Sequence, residues 1–208
     1  VLIGLTGRKE VGKDTTYDRI RHLYQHVITV ERVGFADLIY RSAAEALGVS
    51  VKELHLWKSD PTIKIRVVKE LDVWTGGERT EEVLHEILVR AFLQRYGFEA
   101  HRNIFGQDFW EQRITGTLQS HQESLLVVTD IRLPTEAEMV REFGGAVVWI
   151  HGRDEDQWDL HATEQSLPAN MIDFHIDNSA RDDEFASLDE QIQFFMGKFN
   201  PDLERKVV

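Results

Sequence analysis

Residues 1–16, Val-Leu-Ile-Gly-Leu-Thr-Gly-Arg-Lys-Glu-Val-Gly-Lys-Asp-Thr-Thr, constrain this chain more than any other stretch. Val1 to Leu5 is a short apolar run of the kind that forms a buried strand, and a helical pattern begins at Thr15. Between them a loop is framed by Gly7 and Gly12 and followed by Lys13, the G-x-x-x-x-G-K arrangement of a phosphate-binding loop. The chemistry explains the residue types. Successive backbone N–H groups must turn inward to wrap an anion, which glycine permits. The following helix aims its positive end at the same anion, and Lys13 adds a mobile point charge for the outer phosphates. Gly7, Arg8, Lys9, Gly12, Lys13, Asp14 and Thr15 are the candidate phosphate-binding residues. The plain alternative is a strand–turn–helix that merely contains two glycines. The hydroxyl that usually follows the lysine and holds Mg²⁺ is replaced by Asp14 and then Thr15, which leaves open which of the two contacts a metal.

The chain has 208 residues, enough for one domain with a substantial core. No apolar run approaches the ~18 residues of a membrane span. The N-terminal stretch reads as a core strand, so no signal peptide is expected. Cysteine is absent, which excludes disulfides and thiolate zinc sites and fits a reducing cytoplasm. The formal charge of −12 argues against a broad footprint on duplex DNA, though not against a small basic pocket.

Further along, a helix is expected to about His26, a second strand over 27–35, and a helix from Phe35-Ala36-Asp37-Leu38 to Gly48. Ser50 and Glu53 form a capping box for a short helix. Trp57 to Gly77 is polar and without a clean period; it reads as part of a mobile, substrate-covering arm carrying Lys58, Lys64, Arg66 and Lys69. Residues 80–96 read as one amphipathic helix, with Val83, Leu84, Ile87, Leu88, Ala91 and Phe92 buried and Arg90, Gln94 and Gly97 along one edge. Another helix is expected over about 107–119.

Leu125 to Thr129 reads as a central strand that delivers Asp130 to the carboxyl edge of a sheet, where ligands bind in open α/β folds. Asp130 is placed to hold Mg²⁺, and Arg132 to neutralise a transferring phosphoryl group. An Asp130–Arg132 pair that only ties a loop is the structural alternative. A helix over Pro134–Phe143, a strand over Ala146–Ile150, a lid over about 152–170, a short strand over Asp173–Asp177 and a helix over 182–198 complete the chain, with 199–208 frayed. Five strands alternating with helices predict an α/β fold with a five-stranded parallel sheet covered on both faces. The insertion at about 50–120 supplies the arm.

With those residues placed, the chain resembles the phage deoxynucleoside-monophosphate kinases, a branch of the phosphate-loop kinases. Gly7-x4-Gly12-Lys13-Asp14-Thr15 is similar to their G-K-D-T loop, and Phe35-Ala36-Asp37 to their F-A-D. Arg90-x-x-Leu93-Gln94-x-x-Gly97-x-Glu99-x-x-Arg102 resembles R-x-L-L-Q-x-x-G-T-E-x-x-R. Asp130-Ile131-Arg132-Leu133-Pro134-Thr135-Glu136 resembles D-V-R-F-P-N-E, and His161-Ala162-Thr163-Glu164 an H-x-S-E. The chain departs at Phe98 and Thr135, where the family has Thr and Asn. Residues 154–190 also hold twelve acids and one arginine, Arg181, so a lid role rests mainly on Arg153.

The resemblance implies a three-layer fold like that of adenylate and thymidylate kinases, one domain over 1–208, ATP as donor, Mg²⁺ as partner ion, and a deoxynucleoside 5′-monophosphate as acceptor. On that reading Lys13, Arg132 and Arg153 are catalytic. Asp14, Thr15 and Asp130 organise the metal, and Asp37, Arg90, Gln94, Glu99 and Arg102 hold the acceptor. The expected partner is a small nucleotide in the cytoplasm (the host's, for a phage protein), with no membrane and no nucleic acid; a homodimer is compatible. Other readings are a phosphate-loop kinase for another phosphorylated metabolite, a kinase for hydroxymethylated bases in DNA, and a nucleotide-binding protein without turnover.

Overall fold

The structure, a computed structural model, describes residues 1–68, 84–106, 108–121, 123–152, 167–180 and 185–207. The chain divides into two compact units, residues 1–35 with 111–208 and residues 36–110. Each is described by itself.

The first unit is built on a five-stranded parallel sheet with strand order β2-β5-β1-β6-β7. Its strands are β1 (Leu2–Thr6), β2 (Val30–Val33), β5 (Leu125–Val128), β6 (Ala146–His151) and β7 (Phe174–Asp177). β1 is central; Gly4 pairs with Val128 on one side and with Val147 on the other. Strand side chains alternate between faces. Ile3, Leu5, Leu125, Val127, Val148 and Ile150 therefore share one face. Ile20 and Tyr24 of α1 (Lys13–Tyr24) and Ile192 and Phe195 of α8 (Ala186–Phe199) cover it. On the opposite face Gly4 leaves room for Val140 of α7 (Pro134–Glu142); a Cβ there would lie 3.1 Å from it. Helices on both faces give the three-layer α/β/α architecture the alternating strands and helices predict.

The C-terminal residues depart from the expected frayed tail. Asn200 accepts the N–H of Leu203 on its side chain at 3.1 Å, with Pro201 at the first position, and together they start α9 (Pro201–Glu204). Leu203 is buried in the core, and the hydroxyl of Tyr24 donates to Glu204.

The second unit begins within α2 (Phe35–Leu47) and contains α3 (Val51–Ser59), which starts on the Ser50–Glu53 capping box. Its core gathers Tyr40, Ala43, Ala44, Leu54, Ile65, Val89 and Leu93. The single helix expected over 80–96 is not formed. β4 (Leu84–Leu88) pairs antiparallel with β3 (Lys64–Val68), Ile87 opposite Ile65 and Glu86 opposite Arg66, and α4 (Val89–Gln94) follows. The apolar spacing of Leu84, Ile87 and Leu88 suits a helix, but Lys64-Ile65-Arg66-Val67 alternates with period two and supplies a strand partner that a local window does not weigh. The buried positions are consequently Val89 and Leu93, while Leu88 is exposed. The expected irregular arm over Trp57–Gly77 is ordered as far as it is described, ending α3 and forming β3; its Lys69 and later residues lie outside the described residues.

After α4 the backbone widens into a π-helical stretch, Arg95–Arg102, then a short turn α5 (Asn103–Phe105) and α6 (Phe109–Ser120). Among the described residues no helix is long and apolar enough to cross a membrane.

Candidate active site

β1 ends in the glycine-framed loop, and both glycines are needed there. Gly7 has φ +137° and Gly12 φ +91°, conformations that L side chains rarely adopt. Space forbids a side chain as well. A Cβ on Gly7 would stand 2.5 Å from the Ile150 carbonyl, and one on Gly12 would stand 2.0 Å from the Asn178 amide nitrogen. Lys13 opens α1 and folds back over the loop, its ammonium donating to the carbonyls of Gly7 at 2.9 Å and Arg8 at 2.6 Å. Thr16, fully buried, donates both its N–H and its hydroxyl to the Gly12 carbonyl, at 2.8 and 3.0 Å. The loop is thus tied through the carbonyls of Gly7, Arg8 and Gly12. Arg8 is half-buried, and Lys9 forms an exposed pair with Glu10 at 3.1 Å.

Asp14 stands in the first turn of α1 and pairs with Arg32 of β2 at 3.0 Å, largely exposed; Thr15 is half-buried. Asp130 leaves β5 next to the root of the loop, because the following residue, Ile131, donates its N–H to Leu5 of β1 at 3.2 Å. Asp130 is half-buried and its Oδ1 accepts the N–H of Phe35, the first residue of α2, at 3.0 Å. Arg132 is half-buried. Its backbone N–H and that of Leu133 both reach Glu136 Oε2, at 2.8 and 3.0 Å, so a buried carboxylate shapes the turn that presents Arg132.

A magnesium ion fits this donor set. Mg²⁺ takes oxygen ligands and commonly uses one or two carboxylates together with substrate phosphates. Among the described residues no three acids or histidines converge to hold an ion alone. Asp130, half-buried after β5, carries one carboxylate that could serve such a shared ion, while Asp14 is paired with Arg32.

The residues expected to hold an acceptor lie in the second unit. Asp37 is half-buried in the first turn of α2. On α4, Arg90 is exposed and Gln94 half-buried. Glu99 is exposed and paired with Arg95 at 3.2 Å, whereas Arg102, at the end of the π-helical stretch, is only 4 % exposed. Gly97 lets this stretch approach α2; a Cβ there would meet Ile39 Cδ1 at 2.7 Å, and the Gly97 carbonyl accepts the Trp110 indole N–H at 2.7 Å. Phe98, the departure from the resembled motif, is 39 % exposed. Lys58 sits over the ring of Tyr40, 5.3 Å from its centroid, and Arg66 pairs across the strands with Glu86. Arg153, with 154–166 of the expected lid, lies outside the described residues.

Several residues that shape these turns carry no assigned role in the sequence. Glu136 carries a local signal, an acid three positions beyond Leu133 before a helix. Glu111, 5 % exposed, accepts the hydroxyl of Thr135 at 2.6 Å, which gives the Thr135 departure a partner. Asn178 bonds the Val11 carbonyl across the sheet edge, a long-range contact without a local signature.

The family model for deoxynucleotide monophosphate kinases matches residues 42–192, well over half of the chain. The chain belongs to that family. Phosphoryl transfer to a deoxynucleoside monophosphate is accordingly the chemistry of this kinase, a phosphotransferase. It is 27% identical over 194 residues to a protein of Acanthamoeba polyphaga mimivirus provisionally described as a deoxynucleotide monophosphate kinase, with 90% of this chain and 93% of that protein covered. It is 24% identical over 183 residues to the deoxynucleoside-5′-monophosphate kinase of Escherichia phage T5, with 68% and 72% covered. The matched family span starts after the phosphate loop and after Asp37, so the case for those residues in this kinase rests on the geometry above.

Proposed function

We propose that this kinase moves the γ-phosphoryl group of ATP onto the 5′-phosphate of a free deoxynucleoside monophosphate. An acceptor phosphate oxygen forms a bond to the γ-phosphorus as the bond to the β,γ-bridging oxygen breaks, and ADP leaves. The acceptor is already anionic, so no strong general base is needed; catalysis comes from positioning and from cations that meet the shifting charge. The loop from Gly7 to Thr15, including Arg8 and Lys9, receives the donor phosphates. The observation that supports this reading is Lys13: its ammonium spans two loop carbonyls, Gly7 and Arg8, which it would exchange for phosphate oxygens.

Arg132 and Arg153 stabilise the transferring group. Asp130, with Asp14 and Thr15, would hold Mg²⁺, which when bound would neutralise phosphate charge. In the second unit Asp37, Arg90, Gln94, Glu99 and Arg102 hold the acceptor; an amide such as Gln94 can pair with a base edge through a donor and an acceptor together. We read this unit as the acceptor-covering insertion of one catalytic domain. The kinase works in the cytoplasm on free nucleotide, since with twelve more acids than bases it would repel a long polyanion.

The test offers γ-labelled ATP with Mg²⁺ to a panel of deoxynucleoside monophosphates and to DNA containing hydroxymethylated pyrimidines. Label in nucleoside diphosphates is the expected result. Label only in DNA overturns the proposal in favour of a DNA-base kinase.

A further inference from the structure

Asn178 follows the last strand of the sheet, and its side chain reaches the phosphate loop. Its amide nitrogen donates to the Val11 carbonyl at 3.0 Å, and its backbone N–H donates to the His151 carbonyl at 2.9 Å. The residues around it are anchored. Asp177 Oδ1 accepts the N–H of Ser179 at 2.8 Å. Gln191 of α8 accepts the N–H of Asp177 at 2.8 Å and donates to its carbonyl at 2.9 Å. The Asn178 amide is therefore held at a fixed place on the sheet edge.

The loop is built to meet it. Val11 is buried, and a Cβ on Gly152 would stand 2.7 Å from the Val11 Cα. A Cβ on Gly12 would stand 2.0 Å from the Asn178 amide nitrogen, so a larger residue there would displace that amide. The described peptide bonds are trans. In a planar trans peptide the carbonyl and the following N–H point in opposite directions. A hydrogen bond that pulls the Val11 carbonyl toward Asn178 therefore turns the Gly12 N–H away from it. The Gly12 carbonyl is taken by Thr16, and the Gly7 and Arg8 carbonyls by Lys13. With these carbonyls tied, the orientation of the Val11–Gly12 peptide sets where the Gly12 N–H points.

We infer that Asn178 is a positioning residue for the donor nucleotide: it fixes the Val11–Gly12 peptide so that the Gly12 N–H faces the phosphates. This rests on the reading of the Gly7–Thr15 loop as the ATP site. An aspartate at 178 keeps the shape but faces the Val11 carbonyl with a carboxylate that cannot donate, so the peptide loses its tie.

The experiment compares the unaltered kinase with Asn178→Asp, Asn178→Ala and, as a control for the loop, Lys13→Ala. Steady-state KM and kcat are measured for ATP and for the acceptor, with melting temperatures alongside. The expected result is an ATP KM raised about tenfold or more in both Asn178 variants, with an acceptor KM within about twofold and a melting temperature lowered by no more than about 5 °C, the cost of one lost hydrogen bond. An unchanged ATP KM in both variants overturns the inference while Lys13→Ala remains inactive. A rise in both KM values that follows a lowered melting temperature also overturns it, since that is a structural effect. If Lys13→Ala keeps normal turnover, the loop reading itself fails and takes the inference with it.

Discussion

The carboxylate of Asp130 accepts the backbone N–H of Phe35 at 3.0 Å, so the acid at the end of β5 also caps the start of α2. Its charge and its capping oxygen are separable. Asn at 130 keeps an oxygen for Phe35 but loses the charge proposed to attract a metal. Asp130→Asn is expected to keep the melting temperature, lower turnover and move the Mg²⁺ titration to higher concentration. Asp130→Ala should in addition cost about 1 kcal/mol of stability through the lost cap. Magnesium titrations and melting curves on both variants check this; an unchanged magnesium curve in Asp130→Asn reassigns the residue to structure.

Gly97 and Ile39 give a packing prediction in the second unit. A methyl at 97 would lie 2.7 Å from Ile39 Cδ1 and 3.2 Å from Cγ2, so Gly97→Ala should destabilise by about 1–3 kcal/mol. Ile39→Val removes the nearest atom, and the double variant should recover part of the loss. Denaturant melts of the three variants measure the coupling; strict additivity would show that the approach of the π-helical stretch to α2 is not what Gly97 serves.

These cases show what was legible before the structure. The strand, loop and helix around Gly7, Gly12 and Lys13 are local, each dictated by a residue type at a fixed offset. The apolar run Leu125–Thr129 and the Ser50–Glu53 box are local too. The spacing of Leu84, Ile87 and Leu88 fits a helix and not an alternating strand, and only the pairing with Lys64–Val68 makes Leu84–Leu88 a strand. The π-helical stretch over Arg95–Arg102 lies outside a 3.6-residue search, so the order of Gln94, Gly97 and Arg102 was visible but their placement was not. Asn178 was invisible because its partner, Val11, is 167 residues away. The cap at Asn200 and Pro201 carried a local signature that the expectation of a frayed end passed over.

The acid limb of stability should report on the turn beside Asn178. The Ser179 side chain and backbone hydrogen bonds, and more weakly the charge of His151, hold the Asp177 carboxyl below its usual 3.8. Glu53 is held below 4.5 in the same way by Ser50. A depressed carboxyl binds its proton more weakly in the fold than in the unfolded chain. Its stabilising contribution is thus present above the ordinary value and is lost as pH falls below it toward the folded value. Asp177→Asn should make stability less steeply dependent on pH below about pH 4, with little change in slope at neutral pH. Chemical denaturation at a series of pH values checks it, and an acid limb as steep as that of the unaltered kinase would contradict the assignment.

If the Gly7–Thr15 loop binds the donor phosphates and Lys13 meets the charge that moves, as proposed, removing the ammonium stops the transfer. The most direct measurement is the turnover of Lys13→Ala with ATP, Mg²⁺ and the preferred deoxynucleoside monophosphate, on protein whose melting curve shows it folded. Loss of one transition-state contact worth ~3–4 kcal/mol predicts a fall of about 150- to 900-fold. Turnover within a few-fold of the unaltered kinase would contradict the account.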